Sequence, residues 1–190
     1  MNESSHRVLV LMAHPSLYRS KINKAMRDAI KDTPGITLHE LYQAYPDFYI
    51  NVRHEQSLLL EHDFLVFQYP FYWYSVPPIL KLWQDVVLEN GFAYGEGGDA
   101  LQGKDFMPAI STGGKAEAFS REGNNYFTMN ELLYPMQAVA RRCNMTYRPP
   151  RVIHGSFEQT DVTIQMHAER YRELLLEYTR QGAGIFEPKD

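Results

Sequence analysis

The segment RVLVLM, Arg7 to Met12, constrains the fold more than any other stretch. It is a short run rich in valine and leucine, with no polar alternation, and it gives way at once to a loop and then to helical periodicity. A strand apolar on both faces must be covered on both sides, as in the middle of a parallel sheet. From Lys21 the apolar residues fall at Ile22, Ala25, Met26, Ala29 and Ile30, one face of a helix. The alternation then repeats along the chain. ITLHEL (36–41) and DFLVFQY (63–69) read as strands, with a helix over 52–62 between them. A further helix shows its buried face at Ile79, Trp83, Val86 and Val87, with Ser75 as its cap and Pro77 and Pro78 in its first turn. DFMPAIST (105–112) is a fourth strand, in which Pro108 signals an edge or a bulge. A helix over 129–143, a strand over 145–154 and a final helix over 161–180, with Tyr171, Leu174, Leu175 and Tyr178 aligned, complete the series. Five strands alternating with helices predict an α/β fold: a doubly wound, five-stranded parallel sheet with helices on both faces and right-handed crossovers. The chain, 1–190, reads as a single domain with its core at about 7–180 and a loose C-terminal tail from Gly182.

Composition removes several classes of function. A net charge of −4 and the lack of a basic stripe argue against nucleic acid. Cys143 is the only cysteine, so it forms no intrachain disulfide, and it reads as a small buried residue rather than a reactive thiol. The apolar run Val8–Ala13 is too short for a signal-peptide core or a membrane span, and the expected location is cytoplasmic. The seven histidines show no HExxH spacing, so no metal site is expected, and there is no GxSxG elbow. GGDALQGKD has P-loop spacing but carries Asp105 where Ser or Thr is required, and GEGGDA lacks a strand before it; both read as turns.

In a sheet of this kind ligands bind beyond the carboxyl ends of the strands, near the switch in strand order. Three loops answer that description. AHPSLYRSKIN runs straight into a helix N-terminus, where free N–H groups favour a phosphate. Ser20 adds a hydroxyl, His14 and Lys21 positive charge, and Asn23 an amide. Taken singly, Ser20 is equally a helix cap and His14 a loop-fixing hydrogen bond; their combination favours an anion. STGG (111–114) allows close backbone approach to a flat ligand, though a glycine pair is also an ordinary turn. FQYPFYWYSVPP (67–78) crowds aromatic rings where the third strand ends, suited either to core packing or to an aromatic wall. A phosphate pocket, a glycine floor and an aromatic wall together suit a ring system with a phosphate tail, and flavin mononucleotide fits that description.

These motifs carry a likeness. With AHP…S…N, LYQAYPDFYIN, PFYWYSVPPILKLWQDVVLENGFAYG, ALQGK and STGG, the chain resembles the NAD(P)H:quinone oxidoreductase family of flavodoxin-like flavoproteins, and within it the general stress protein 14 and Kef-type potassium-efflux ancillary branches. The resemblance covers about Val8 to Arg151. It implies an FMN phosphate site on His14, Ser20, Lys21, Ile22 and Asn23, a ring-binding loop on Pro70, Phe71, Tyr72, Trp73 and Tyr74, and a backbone cradle on Ser111, Thr112, Gly113 and Gly114. A phosphate site alone accepts FAD as well as FMN, so the choice of FMN rests on the likeness. The likeness further implies a homodimer, NAD(P)H as electron donor and a quinone or nitroaromatic as acceptor. Where better-known family members carry a tyrosine and a histidine after the glycine pair, this chain has Phe119 and Asn125, which become substrate-pocket candidates; no catalytic residue is assigned. The Kef likeness carries a second expectation: a flavin-binding regulatory subunit, with little turnover, on a potassium-efflux antiporter at the inner face of the membrane. A one-electron flavodoxin carrier fits less well, because such carriers are strongly acidic and have a Ser/Thr-rich phosphate loop.

Overall fold

The structure is a computed structural model that describes residues 6–187. At its centre lies β1 (Val8–Met12), buried at every position as its unbroken apolar run requires. It pairs in parallel with β2 (Ile36–Glu40) on one side and β3 (Phe64–Pro70) on the other. Beyond β3 comes β4 (Asp105–Ser111), and the fifth position is shared by β5 (Thr146–Tyr147) and β6 (Arg151–Ile153), each parallel to β4. The order β2-β1-β3-β4-β5 is the flavodoxin-like one, with its switch point between β1 and β3.

Alternate residues of the strands feed two cores. Leu9, Leu11, Phe67, Tyr69, Phe106 and Ile110 pack with Leu59 of α3 (Val52–Leu60), with Ile79, Leu80, Trp83 and Val87 of α4 (Pro78–Val87), and with Met136 and Ala140 of α6 (Tyr134–Arg142). Val8, Val10, Phe64, Val66, Met107 and Ala109 pack with α1 (Lys21–Ile30) and α7 (Asp161–Gln181) through Ile22, Met26, Ile30, Ile164, Tyr171, Leu175 and Tyr178. Each large apolar side chain removed from water in this way contributes about 1.5–3 kcal/mol before entropy is counted. Short helices α2 (Leu41–Ala44) and α5 (Met129–Leu132) follow β2 and precede α6.

Pro108 marks a local irregularity, as expected: it pairs in register with Phe67 on one side, but on the other the register slips by one residue between Phe106↔Tyr147 and Ala109↔Arg151. Amide direction alternates along a strand, and Thr112 N–H donates to Ile153, so even-numbered β4 residues point their N–H toward β5 and β6. The N–H that Pro108 lacks thus faces Arg148–Pro150, where the fifth strand is broken by two prolines. Several boundaries differ from expectation. The helix expected over 129–143 is divided at Leu133, because Pro135 cannot donate into a continuous helical ladder. Pro77, not Ser75, stands at the start of α4, and Ser75 N–H instead closes a turn onto Tyr72 O. The tail is not loose through Phe186. Gly182–Phe186 forms a 3-10 turn whose Phe186 ring meets Phe64 and Tyr178 and lies under the Arg148 guanidinium; residues 188–190 of that expectation fall outside the described residues. Cys143 is buried, and desolvation raises its thiol pKa, consistent with a packing role.

Candidate functional site

The loop after β1 makes one 3-10 turn at Leu17–Arg19 and enters α1 at Lys21. Ser20 caps that helix: its Oγ accepts from Asn23 N (3.2 Å) and from Asn23 Nδ2 (3.1 Å). Asn23 is wholly buried and also donates to Ser111 Oγ at 2.7 Å, which ties the first loop to the end of β4. The cap leaves the N–H groups of Lys21 and Ile22 without an acceptor among the described residues, the ordinary condition of a helix start and one that suits an anion. The charges expected beside them are arranged otherwise. His14 Nδ1 accepts from Ser16 N (3.1 Å), and burial lowers its pKa, so at neutral pH the ring is uncharged. Lys21 Nζ lies 3.0 Å from Asp161 Oδ1 in an exposed ion pair.

The aromatic run serves two ends. Phe67 and Tyr69 are fully buried in the core, whereas Phe71 to Tyr74 leave the strand and turn back in a tight loop closed between Tyr72 and Ser75. Trp73 (φ 47°) and Tyr74 (φ 64°) both hold the left-handed conformation, and Trp73 is 92% exposed. That conformation costs a non-glycine residue about 1–2 kcal/mol, a strain that concentrates at functional sites. The N–H groups of both residues lack an acceptor among the described residues. Opposite them lie Gly113 and Gly114. A Cβ on Gly114 would stand 2.9 Å from Phe119 Cε2, and one on Gly113 would stand 2.6 Å from Phe157 Cε2, so each glycine makes room for a neighbouring ring. Thr112 N–H is held by Ile153 O and Gly114 N–H by Thr112 Oγ1 (3.3 Å). Within Thr112–Gly114, then, only Gly113 keeps a free N–H among the described residues.

These loops frame two adjoining clefts that share Phe71 and Gly113. One, of about 550 Å³, is bordered by His14, Ser20, Lys21, Ile22, Pro70, Tyr72 and Ser111. The other, of about 220 Å³, is bordered by Trp73, Tyr74, Thr112, Gly114, Phe119 and Asn125. Asn23 stands behind the first, holding Ser20 and Ser111. Tyr74 OH donates to Asn125 Oδ1 at 3.0 Å, and Phe119, 8% exposed, packs against His154 with ring centroids 5.2 Å apart. All the sequence candidates therefore lie at one end of the sheet.

Sequence reasoning passed over a fourth wall, the loop 154–160 after β6. Its backbone is stitched to the glycine loop by Gly155 N to Gly114 O (2.9 Å) and Ser156 N to Thr112 O (3.0 Å), and its side chains by Lys115–Glu158 (2.9 Å). Ser156, Phe157 and Gln159 border the larger cleft, as does Arg19 from the first loop. The rule that ligands sit beyond strand ends applied to the fifth strand as well, and Gly155 was the available signal.

The donor set and the two glycines fit a planar ring bearing a phosphate: free helix-start amides and a hydroxyl at one end, and backbone N–H groups with aromatic surface at the other. Fold and cleft define a class, the doubly wound α/β proteins that hold a ligand at the β1/β3 switch point. The chain belongs to the family described as having a flavodoxin-like fold, whose model matches residues 6–175, and within it to the NAD(P)H:quinone oxidoreductase group with general stress protein 14 and the Kef ancillary proteins. It is 43% identical over 89% of its length, and 97% of the relative's, to general stress protein 14 of Bacillus subtilis strain 168. Its identity is 42% over 90% of its length, and 96% of the relative's, to the glutathione-regulated potassium-efflux system ancillary protein KefF of Klebsiella aerogenes. Among solved structures it superposes with a TM-score of 0.86 on a thermophilic tryptophan halogenase from Streptomycin violaceusniger (48% identity, 88% of this chain and 98% of that one). The TM-score is again 0.86 for general stress protein 14 of Treponema denticola in complex with FMN (38% identity, 92% and 99%). It is 0.80 for an NADPH-quinone reductase from P. pentosaceus (34% identity, 88% and 96%).

Proposed function

We propose that the protein is an FMN-dependent NAD(P)H:quinone oxidoreductase, acting as a homodimer in the cytoplasm and passing reducing equivalents to a quinone or nitroaromatic. The observation that carries this reading is the adjacency of the two clefts, which share Phe71 and Gly113 and set a helix start with free amides beside an aromatic-walled pocket. Likeness to the FMN complex of general stress protein 14 and to the NADPH-quinone reductase supports it. Bound FMN would supply the redox chemistry, taking a hydride from the nicotinamide and returning it to the acceptor. The chain supplies position. Lys21 and Ile22 N–H with Ser20 Oγ would hold the phosphate, while Trp73, Tyr74 and Gly113 N–H would be the donors offered to the ring, where such hydrogen bonds would stabilise added negative charge. Phe119 and the Asn125 amide, fixed by Tyr74, border the space left for nicotinamide or acceptor. Neither side chain titrates, so turnover is expected to vary little between about pH 6 and 8. The test is anaerobic stopped-flow absorbance of flavin-loaded protein mixed with NADH or NADPH and then with a benzoquinone: bleaching followed by fast reoxidation is expected.

A second reading has its own support. Identity of 42% to KefF, together with Phe119 in a position where a proton-donating tyrosine would assist quinone reduction, favours a flavin-binding regulatory subunit on a potassium-efflux antiporter at the inner membrane face. Bound flavin that neither nucleotide reduces, with capture of the antiporter, would establish this role in place of the enzyme.

A further inference from the structure

Three cationic or potentially cationic side chains border the larger cleft: His14, Arg19 and Lys21. A phosphate monoester carries about 1.5 to 2 negative charges at neutral pH, more than helix-start dipoles alone compensate. His14 spends Nδ1 on Ser16 N–H, and burial keeps its ring neutral. Lys21 turns its ammonium toward Asp161 at the N-terminus of α7. Lys115, on the neighbouring glycine loop, is likewise engaged by Glu158. Asp161 at the start of α7 and Glu158 of the fourth loop thus each engage a lysine that could otherwise serve the cleft. Arg19 is different. It closes the 3-10 turn immediately before the Ser20 cap, is exposed, and has no hydrogen-bond or ion-pair partner among the described residues, although it borders the same cleft as the free N–H groups of Lys21 and Ile22.

We propose that Arg19 is the counter-charge of the flavin phosphate, its guanidinium closing the outer side of a pocket whose inner side is the start of α1. The assignment rests on the FMN reading and deepens it: it makes one residue responsible for preferring the phosphorylated cofactor over riboflavin. Arginine suits the task because its planar fork donates two parallel bonds to a phosphate and its charge is permanent. Its position one residue before the cap places a cation beside the amides that the cap leaves free.

The test is fluorescence-quenching titration of apoprotein with FMN and, separately, with riboflavin, for wild type, Arg19→Gln, Arg19→Lys and Lys21→Gln. Arg19→Gln is expected to weaken FMN by about 10- to 100-fold, the loss of one charge-assisted contact, and to flatten its salt dependence. Riboflavin affinity should stay within about 3-fold, since only the phosphate is addressed. Arg19→Lys should recover part of the loss, and Lys21→Gln should cost less than about 3-fold, as expected for an exposed ion pair. Unchanged FMN affinity in Arg19→Gln overturns the assignment, as does an equal loss for riboflavin, a transfer of the loss to Lys21→Gln, or an effect confined to the KM for NADPH, which would place the nucleotide 2′-phosphate at Arg19. A wild-type protein that binds neither FMN nor riboflavin overturns the cofactor reading itself, a result distinct from intact FMN binding that ignores Arg19.

Discussion

Trp73 and Tyr74 show how a single pair of residues records function. Two successive bulky residues in the left-handed region are strained, and nothing in the core rewards the strain, because Trp73 is almost fully exposed. Trp73→Gly should therefore leave the melting temperature unchanged or raise it, while flavin affinity falls at least about 10-fold through loss of the aromatic wall. A lower melting temperature with unchanged affinity would make the turn structural. Glu55 is the opposite case, a buried side chain absorbed entirely in stability. Its Oε1 accepts from Tyr45 OH (2.5 Å) and His39 Nε2 (2.8 Å), and its Oε2 from Trp83 Nε1 (2.7 Å). Burial pushes its pKa up, but the donors outweigh that effect and the net shift is downward. A folded-state pKa below the unfolded one stabilises the protein above the ordinary carboxylate range, and the contribution disappears as pH falls through the folded value. Glu55→Gln should cost about 2–4 kcal/mol near neutral pH, and the gap to wild type should narrow below about pH 4 in urea unfolding. A gap independent of pH would show that packing, not charge, is lost. The residue identities at both places were legible in the chain, but their roles were not: the quoted LYQAYPDFYIN motif contains Tyr45, yet only the fold brings Glu55 and Trp83 to it.

At the scale of elements, the broken fifth strand explains the most. Asp105, the first residue of β4, accepts from Arg148 Nε (2.6 Å) between β5 and β6 and from Tyr178 OH (2.6 Å) on α7. One buried carboxylate thus clamps three elements at the place where Pro149 and Pro150 interrupt the edge, and the ordered Phe186 turn covers it. Asp105→Asn leaves the arginine without its charge partner and should lower stability by about 3 kcal/mol, read as a shift in the unfolding midpoint. A shift below about 0.5 kcal/mol, the size of a surface substitution, would mean that the clamp is dispensable. Element existence was read well from apolar runs and helical periodicity, because those patterns are local consequences of burial on one or two faces. Boundaries at Ser75 and Leu133 were missed, since Ser75 is taken up by the turn onto Tyr72 and Pro135 interrupts the helical ladder, while the break at Arg148–Pro150 was signalled only by Pro108 opposite it.

For the whole molecule, the expected assembly is a homodimer, and sedimentation equilibrium should return twice the 22.1 kDa of the chain. A monomer at all concentrations would withdraw that reading. The sequence by itself determined that strands alternate with helices and that three loops would meet at one sheet edge, because covering a two-faced apolar strand leaves few arrangements of the chain. It also placed His14, Ser20, Lys21, Pro70 to Tyr74 and Ser111 to Gly114 there, but neither Arg19 nor the residues of the fourth loop. Only the tertiary structure decided their charge and reach: His14 is neutral because it is buried, Lys21 is drawn to Asp161 from a helix far along the chain, and the loop 154–160 closes a cleft that the first four strands leave open. Burial, ion pairing and closure are properties of neighbours in space, and residues 140 positions apart in sequence, as Lys21 and Asp161 are, give no local sign that they will meet.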